Sequence, residues 1–421
     1  MVDRIDVAII GAGPYGLSAA AHLRAAGVEF RIFGKTMDSW KNGMPPGMLL
    51  KSAAWSSDLS DPQGKLTLGK YCAEKGVAYD HTRVPVNVET FVAYGEEFQR
   101  RFVPNVEDRK VDRLARDGAG YRLTFEDGDE LIAQRVVLAV GAHPFKRFPK
   151  ELQALPADRL SHSADYGNID ALAGKEVAVI GSGASATDLA ALLQEHGAKV
   201  TLIARTRALE FQPVPQPPSF FKKLTQPLYS LLAPESGLGR GWKFKLWADA
   251  PWTFHTLPES TRRRVMSTVL GPLGQAMMRD RVIGKVRLFL GHSLAASRVR
   301  LDKAELDIAG ADGQRRTVAV DHVLACTGYV IDLRKLPMLD PALLKQMKLS
   351  DGEPVLSLDY ETSVPGLYLI GAASMGSFGH ASRFVAGVPY PARKLARIFA
   401  AAPRRQAAAS GYRAQPAAAA E

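Results

Sequence analysis

Apolar and polar positions alternate in blocks that repeat. Val7–Ile10, after Asp6, is a short apolar run of the kind a strand buried on both faces requires. Leu17–Ala26 is rich in helix formers and Gly27 ends it, and Phe30–Phe33 reads as a second strand. The same strand, helix, strand order returns at Val177–Ile180, Thr187–His196 (stopped by Gly197) and Lys199–Ala204. Between the two units, Tyr121–Phe125 and Leu131–Val140 flank Asp127-Gly128, which predicts a hairpin. Further sheet character is expected at Val286–Leu290, Val299–Leu301, Val318–Ala325 and Gly366–Ile370. A last helix is expected over Ala381–Ala400, broken or bent near Pro389 and Pro391. The stretch 206–290 follows neither period; its Phe220-Phe221, Trp242, Trp247 and Trp252 mark it as an insertion.

Each repeated unit carries a glycine loop between strand and helix. The first reads Gly11-Ala-Gly13-Pro14-Tyr15-Gly16 and the second Gly181-Ser182-Gly183-Ala-Ser185-Ala186. In a dinucleotide-binding unit the first glycine makes the tight turn and the second admits a pyrophosphate. The third, which Ala can replace, lets helix and strand pack closely. A lone loop of this kind can be a plain turn; two in the same context point to two binding units. The expected class is α/β, with two Rossmann-like domains and an inserted, partly helical segment. The expected division is 1–165 with 321–400 for a discontinuous FAD-binding domain. An NADPH-binding domain would take 166–320, with the insertion at about 206–290, leaving 401–421 as a flexible tail.

The residues past each loop bear on the ligand. After the second, Arg205 and Arg207 favour NADPH, because a guanidinium pairs strongly with a 2′-phosphate. After the first, Phe33-Gly34-Lys35 lacks the usual ribose-binding acid. Gly34 would let the backbone approach the ribose and Lys35 would contact phosphate; FAD is assigned there from loop order and from the resemblance below.

A formal net charge of +11 over 421 residues raises the question of nucleic acid. The basic residues are scattered without an aromatic-interleaved platform, so attraction of anionic NADPH is the simpler reading. Cys72 and Cys326 are far apart and fit no metal spacing, which leaves a reducing cytosol as the default and no disulfide. No metal is expected. His162, His292 and His380 are isolated and none is assigned as a base. No apolar run reaches the ~20 residues of a membrane span. The aromatic, Lys-rich insertion could give weak peripheral membrane contact, but a lid over a fairly apolar substrate pocket is the preferred expectation.

Two further signatures make the chain resemble the class B flavin-dependent monooxygenases: flavin-containing monooxygenases, Baeyer–Villiger monooxygenases and lysine or ornithine N-hydroxylases. One is the crossing between domains, Ala139-Val-Gly141-Ala-His-Pro144 and Ala325-Cys-Thr327-Gly328-Tyr329. The other is Leu160-Ser-His-Ser-Ala-Asp-Tyr166, similar to the HSxxY segment of flavin-containing monooxygenases; the Phe and Gly of the Baeyer–Villiger fingerprint are replaced by Pro156 and Asp158. The resemblance implies that NADPH reduces FAD, that O2 then forms a C4a-(hydro)peroxyflavin, and that one oxygen passes to a small apolar, amine- or sulfur-containing substrate. It further implies Trp40, Gly371 and Ala372 on the flavin, and Thr327 and Gly328 on NADPH. Lys51 or Ser52 would approach the flavin ring, and a helix starting near Ala381 would aim its N-terminus at it. The alternative is an NAD(P)H-dependent flavoprotein reductase serving an external or protein acceptor.

Overall fold

A computed structural model describes residues 2–81, 85–165, 168–213, 230–311 and 313–401. Phe220-Phe221, Tyr166 and the tail from 402 lie outside the described residues.

The first sheet is built on β1 (Asp3–Ile10) and β2 (Phe30–Phe33), joined across α1 (Pro14–Ala25). Its strand order is β3 (Val106–Glu107), β2, β1, β6 (Glu130–Leu138), β5 (Gly120–Phe125), β4 (Val111–Asp117). β1 runs parallel to both β2 and β6, whereas β4, β5 and β6 form an antiparallel meander, as the Asp127-Gly128 turn predicts. The far edge of β6 is shared: β5 pairs with its first half, up to Ala133, and the late strand Leu367–Leu369 runs parallel to its second half, from Val136. That late return closes the first unit with residues from the other end of the chain. Val7, Ala8, Ile9, Val136, Val137 and Leu138 are wholly buried, which is why these strands read as continuous apolar runs rather than alternating ones.

The second sheet has five strands, all parallel: Arg287–Leu290, β9 (Lys199–Ala204), β8 (Glu176–Ile180), His322–Ala325 and β7 (Leu160–His162). α2 (Ala184–Glu195) crosses from β8 to β9. A three-stranded antiparallel sheet of His292–Arg300, Lys303–Gly310 and Arg315–Val320 covers one face of it, burying Leu306 and Ile308 with Ala178 and Ile203. The strands at 160–162 and 322–325 both belong to the second sheet, so the divisions expected at 165/166 and 320/321 cut through it. Leu160-Ser-His, quoted above only as a signature, is an edge strand.

Two other expectations are corrected. No helix starts at Ala381; the chain makes single 3-10 turns at His380–Arg383 and Val385–Gly387, and the helix is Pro389–Ala401. Pro389 and Pro391 therefore open it instead of bending it, since a first-turn proline gives up no hydrogen bond. The insertion is partly helical, at Trp242–Asp249, Trp252–His255 and Glu259–Thr268, with a short hairpin of Glu235–Ser236 and Gly239–Arg240 before them. It has its own small core, Leu238, Trp247, Ala248 and Phe254 against Ala381 of the first unit.

Candidate functional site

The two glycine loops make equivalent contacts at their first glycine. Gly11 N donates to the Phe33 carbonyl (2.8 Å) and Gly181 N to the Ile203 carbonyl (3.0 Å). Both glycines have φ in the left-handed half of the map, +113° and +144°. A Cβ on Gly11 would stand 2.4 Å from the Ala139 carbonyl oxygen, and one on Gly181 2.4 Å from that of Cys326. At the third position a Cβ on Gly16 would fall 1.8 Å from Gly11 O, while the second loop has room for buried Ala186. The middle glycine differs in kind. Nothing lies within 4 Å of a Cβ on Gly13, and only Pro272 within 4 Å of one on Gly183. Each caps a twelve-residue helix with no side-chain cap and no acid in its first turn. Open space over uncapped N–H groups is what a diphosphate requires.

Other first-unit residues gather around its loop. Gly371, φ +73°, packs against the Tyr15 ring, and the Tyr15 hydroxyl lies 3.0 and 2.9 Å from the carbonyls of Ala381 and Phe384. Tyr15 thereby ties α1 to the 371–388 segment; Ala372 is buried beside it. Trp40 is half-buried, edge-on to Phe91 at 4.7 Å. Lys35 is exposed just beyond Gly34, whose φ is +121°. Glu107, at the end of the adjoining strand, does not supply the missing acid, because Arg31 holds both its oxygens at 2.6 Å. Asp58 and Asp61 are structural: they accept the amide hydrogens of Leu68 and of Gln63, Lys65 and Leu66.

Past the second loop, Arg205 and Arg207 are exposed, with no carboxylate partner among the described residues. Ser185 is exposed on the first turn of α2. Thr327 and Gly328 follow Cys326, whose carbonyl lies against Gly181 of the second loop. The Thr327 hydroxyl donates to the Arg147 carbonyl, and the Gly328 carbonyl lies 3.0 Å from both Arg147 N and His162 Nε2. Both residues are engaged in the crossing between the sheets. Cys326 is buried and its thiol is pushed up by desolvation, as expected of an inert thiol.

A cavity of about 660 Å³ opens between the units. Ser182 borders it from the second loop, Lys51 and Ser52 from the first unit, and the 235–240 and 268–273 stretches of the insertion form its wall. The insertion thus walls the cavity, and beside apolar residues such as Trp55, Leu238 and Phe384 charged ones also reach it: Lys51, Arg240, Arg383, Glu210 and Glu235. Burial, and then the charge of Arg383, lower the Lys51 ammonium from its ordinary range.

One buried pair was missed. Asp188, on α2, is 4% exposed. Gln275 Nε2 donates to its Oδ2 (2.9 Å) and to the Leu49 carbonyl (2.8 Å), linking α2 and the insertion to the segment that carries Lys51. Desolvation raises the Asp188 carboxyl to about 7. The unfolded chain would hold that proton only below the ordinary carboxylate range, so the folded state binds more protons between about pH 4 and 7 and loses stability as pH rises through that window. Asp188→Asn keeps an acceptor for Gln275 and removes the titration. It should gain thermal stability relative to the parent at pH 8 and little at pH 4, measured as Tm against pH; parallel curves would show that Asp188 does not titrate there. A polar residue within the apolar run Thr187–Leu193 was a readable signal, whereas Gln275 sits where the sequence has no period.

Among the described residues, no helix is long and apolar enough to cross a membrane. Comparison with solved structures gives the same fold. An ornithine N-hydroxylase of Kutzneria sp. 744 aligns with a TM-score of 0.73 at 15% identity, over 94% of this chain and 99% of that one. The cadaverine monooxygenase of the desferrioxamine pathway of Erwinia amylovora, solved with FAD, aligns at 0.72 and 20%, over 98% and 99%. Among curated proteins the chain is 29% identical over 207 residues to indole-3-pyruvate monooxygenase YUCCA1 of Oryza sativa subsp. japonica, covering 47% of each. It is 26% identical over 214 residues to ferredoxin–NADP reductase of Thermus thermophilus, covering 48% of this chain and 54% of that one. The chain spans about half the length of these curated relatives. The family model for pyridine nucleotide-disulphide oxidoreductases matches residues 5–218, from the first strand through both glycine loops and past Arg207. With more than half of its residues in that match, the chain belongs to the pyridine nucleotide-disulphide oxidoreductase family.

Proposed function

We propose that the protein is a FAD-dependent, NADPH-consuming monooxygenase acting on a small molecule. The observation that carries this is the pair of equivalent loops, each with an open cradle over an uncapped helix, on two units that share one walled cavity. Gly11, Gly13, Gly16 and Tyr15 would hold FAD, with Gly371 and Ala372 beside it. Gly181, Ser182, Gly183 and Ala186 would hold the NADPH diphosphate, and Arg205 with Arg207 its 2′-phosphate. Bound flavin would supply hydride acceptance and oxygen activation. The protein's part is to align the two nucleotides across the cavity and to keep water out with the insertion. Lys51 and Ser52, from the first unit, and Ser182, from the second, border the space where the two would meet. The mixed charged lining suits a polar amine-bearing substrate at least as well as an apolar one. The monooxygenase relatives support this reading; the ferredoxin–NADP reductase relatives support an alternative, a reductase for an external acceptor.

Anaerobic reduction by NADPH followed by mixing with O2 distinguishes the two. A monooxygenase should show a delay before oxidised flavin absorbance returns, lengthened by bound NADP⁺; immediate single-step reoxidation would favour the reductase. Arg205→Ala/Arg207→Ala should raise KM for NADPH about 10- to 100-fold, at ~1.5–3 kcal/mol for a hydrogen bond to a charged group, with kcat and the KM for NADH nearly unchanged. An equal loss with both nucleotides would remove the 2′-phosphate assignment.

A further inference from the structure

The insertion carries a surface that the walled cavity does not explain. Leu231 (65% exposed), Leu232 (67%), Trp242 (51%), Leu246 (46%) and Trp252 (47%) are five of the large apolar side chains left in solvent, all within 22 residues. They lie together. Trp242 Nε1 donates to the Leu231 carbonyl (3.0 Å), Leu246 is one turn on from Trp242, and Trp252 follows directly after that helix. The opposite side of the Trp242–Asp249 helix is already used, since Trp247 and Ala248 are buried against Phe254. The helix is therefore apolar on two faces, one of which, among the described residues, is left largely to solvent.

Charge says what the outer face meets. Residues 206–290 hold 13 Lys and Arg against five Asp and Glu, so this fifth of the chain supplies eight of its eleven net positive charges. Flanking Trp242 in the chain are Arg240, paired with Glu235 at 3.5 Å, and the exposed Lys243, whose ammonium lies 4.6 Å over the Trp247 ring. Trp and Leu flanked by Lys and Arg is the composition that rests in a headgroup layer, with rings at the acyl boundary and cations on phosphates. A protein partner that matched the charge would need a dedicated acidic, apolar surface, whereas an anionic bilayer offers both properties everywhere. We infer that this face of the insertion docks on anionic lipid surfaces. The Glu235–Arg240 hairpin joins Leu231 and Leu232 to Trp242 and also lines the cavity, so docking would set the cavity wall against the bilayer.

The test is cosedimentation of the purified full-length holoprotein with vesicles of phosphatidylglycerol and phosphatidylcholine, or of phosphatidylcholine alone, at low and high salt. Binding to the anionic vesicles should be at least about tenfold tighter than to neutral ones and should weaken as salt rises. Trp242→Ala/Leu246→Ser/Trp252→Ala should lower it by about tenfold or more, with flavin content and Tm unchanged because the three side chains are exposed. Lys243→Glu should weaken only the anionic component. Three results would overturn the inference: no binding to anionic vesicles, binding unaffected by the triple variant, or a concentration-dependent dimer abolished by that variant without any lipid binding.

Discussion

Gly11→Ala is expected to purify without flavin, while Gly13→Ala loses the flavin for a different reason. At Gly11 the backbone itself forbids a side chain. A φ of +113° strains any L-residue, at ~1–3 kcal/mol, and the new Cβ would stand 2.4 Å from a carbonyl oxygen of the neighbouring strand end. Relieving that contact moves the loop and costs a further ~1–3 kcal/mol. A loss of flavin affinity on the order of a hundredfold or more follows, at ~1.4 kcal/mol per tenfold, together with a fall in Tm. At Gly13 the backbone is extended (φ −87°, ψ −173°), which alanine adopts freely, and its Cβ meets nothing within 4 Å. Gly13→Ala should therefore fold with unchanged apoprotein Tm and still lose flavin, because the methyl would occupy the space the diphosphate needs. The second loop gives the mirror result: Gly181→Ala should stay yellow and no longer be reduced by NADPH. Visible absorbance, apoprotein Tm and anaerobic reduction read all three. A Gly13→Ala protein that keeps its full flavin would place the diphosphate elsewhere and take the first-loop assignment with it.

These glycines were legible because their constraint is local: strand, turn and helix are contiguous, and each loop announces its geometry within six residues. The strands beside them were legible for a related reason, since a strand buried on both faces needs an uninterrupted apolar run. What the sequence hid depends on partners far along the chain. Leu160–His162 is a strand only because 322–325 lies beside it, and the late strand at 367–369 is placed by the second half of β6. Pro389 looked like a break in a helix, and only the 3-10 turns before it make it a start. The mixed lining of the cavity was out of reach because Lys51, Arg240 and Arg383 meet from three separate segments. Asp188 stood out as a polar residue in an apolar helix, but its meaning required Gln275, 87 positions away.

Phe254→Ala should release the insertion without unfolding the two sheets. Phe254 is fully buried, edge-on to Trp247 at 5.4 Å, and its ring fills the space beside Gly379, where a Cβ would come within 2.9 Å of it. Removing a buried Phe typically costs ~3–5 kcal/mol. In the large core of the first unit such a loss would be spread over many neighbours. Among the described residues, the small cluster under these helices has Leu238, Trp247, Ala248 and Ala381 as its other buried members, with partly buried Phe244, Leu257 and Val265 packed on them, so the same loss falls on few neighbours. Local opening then becomes cheaper than global unfolding. Limited proteolysis should cut the variant within 230–275 under conditions that spare the parent, while flavin content and the main unfolding transition stay as they were. The 235–240 and 268–273 stretches would no longer wall the cavity, so NADPH oxidation should continue but with water admitted to the reacting face. For a monooxygenase that means hydrogen peroxide in place of oxygenated product. If instead the variant loses its flavin and unfolds in a single step, the insertion is part of one cooperative unit with the first sheet; if product yield is unchanged, it is not the wall that keeps water from the chemistry.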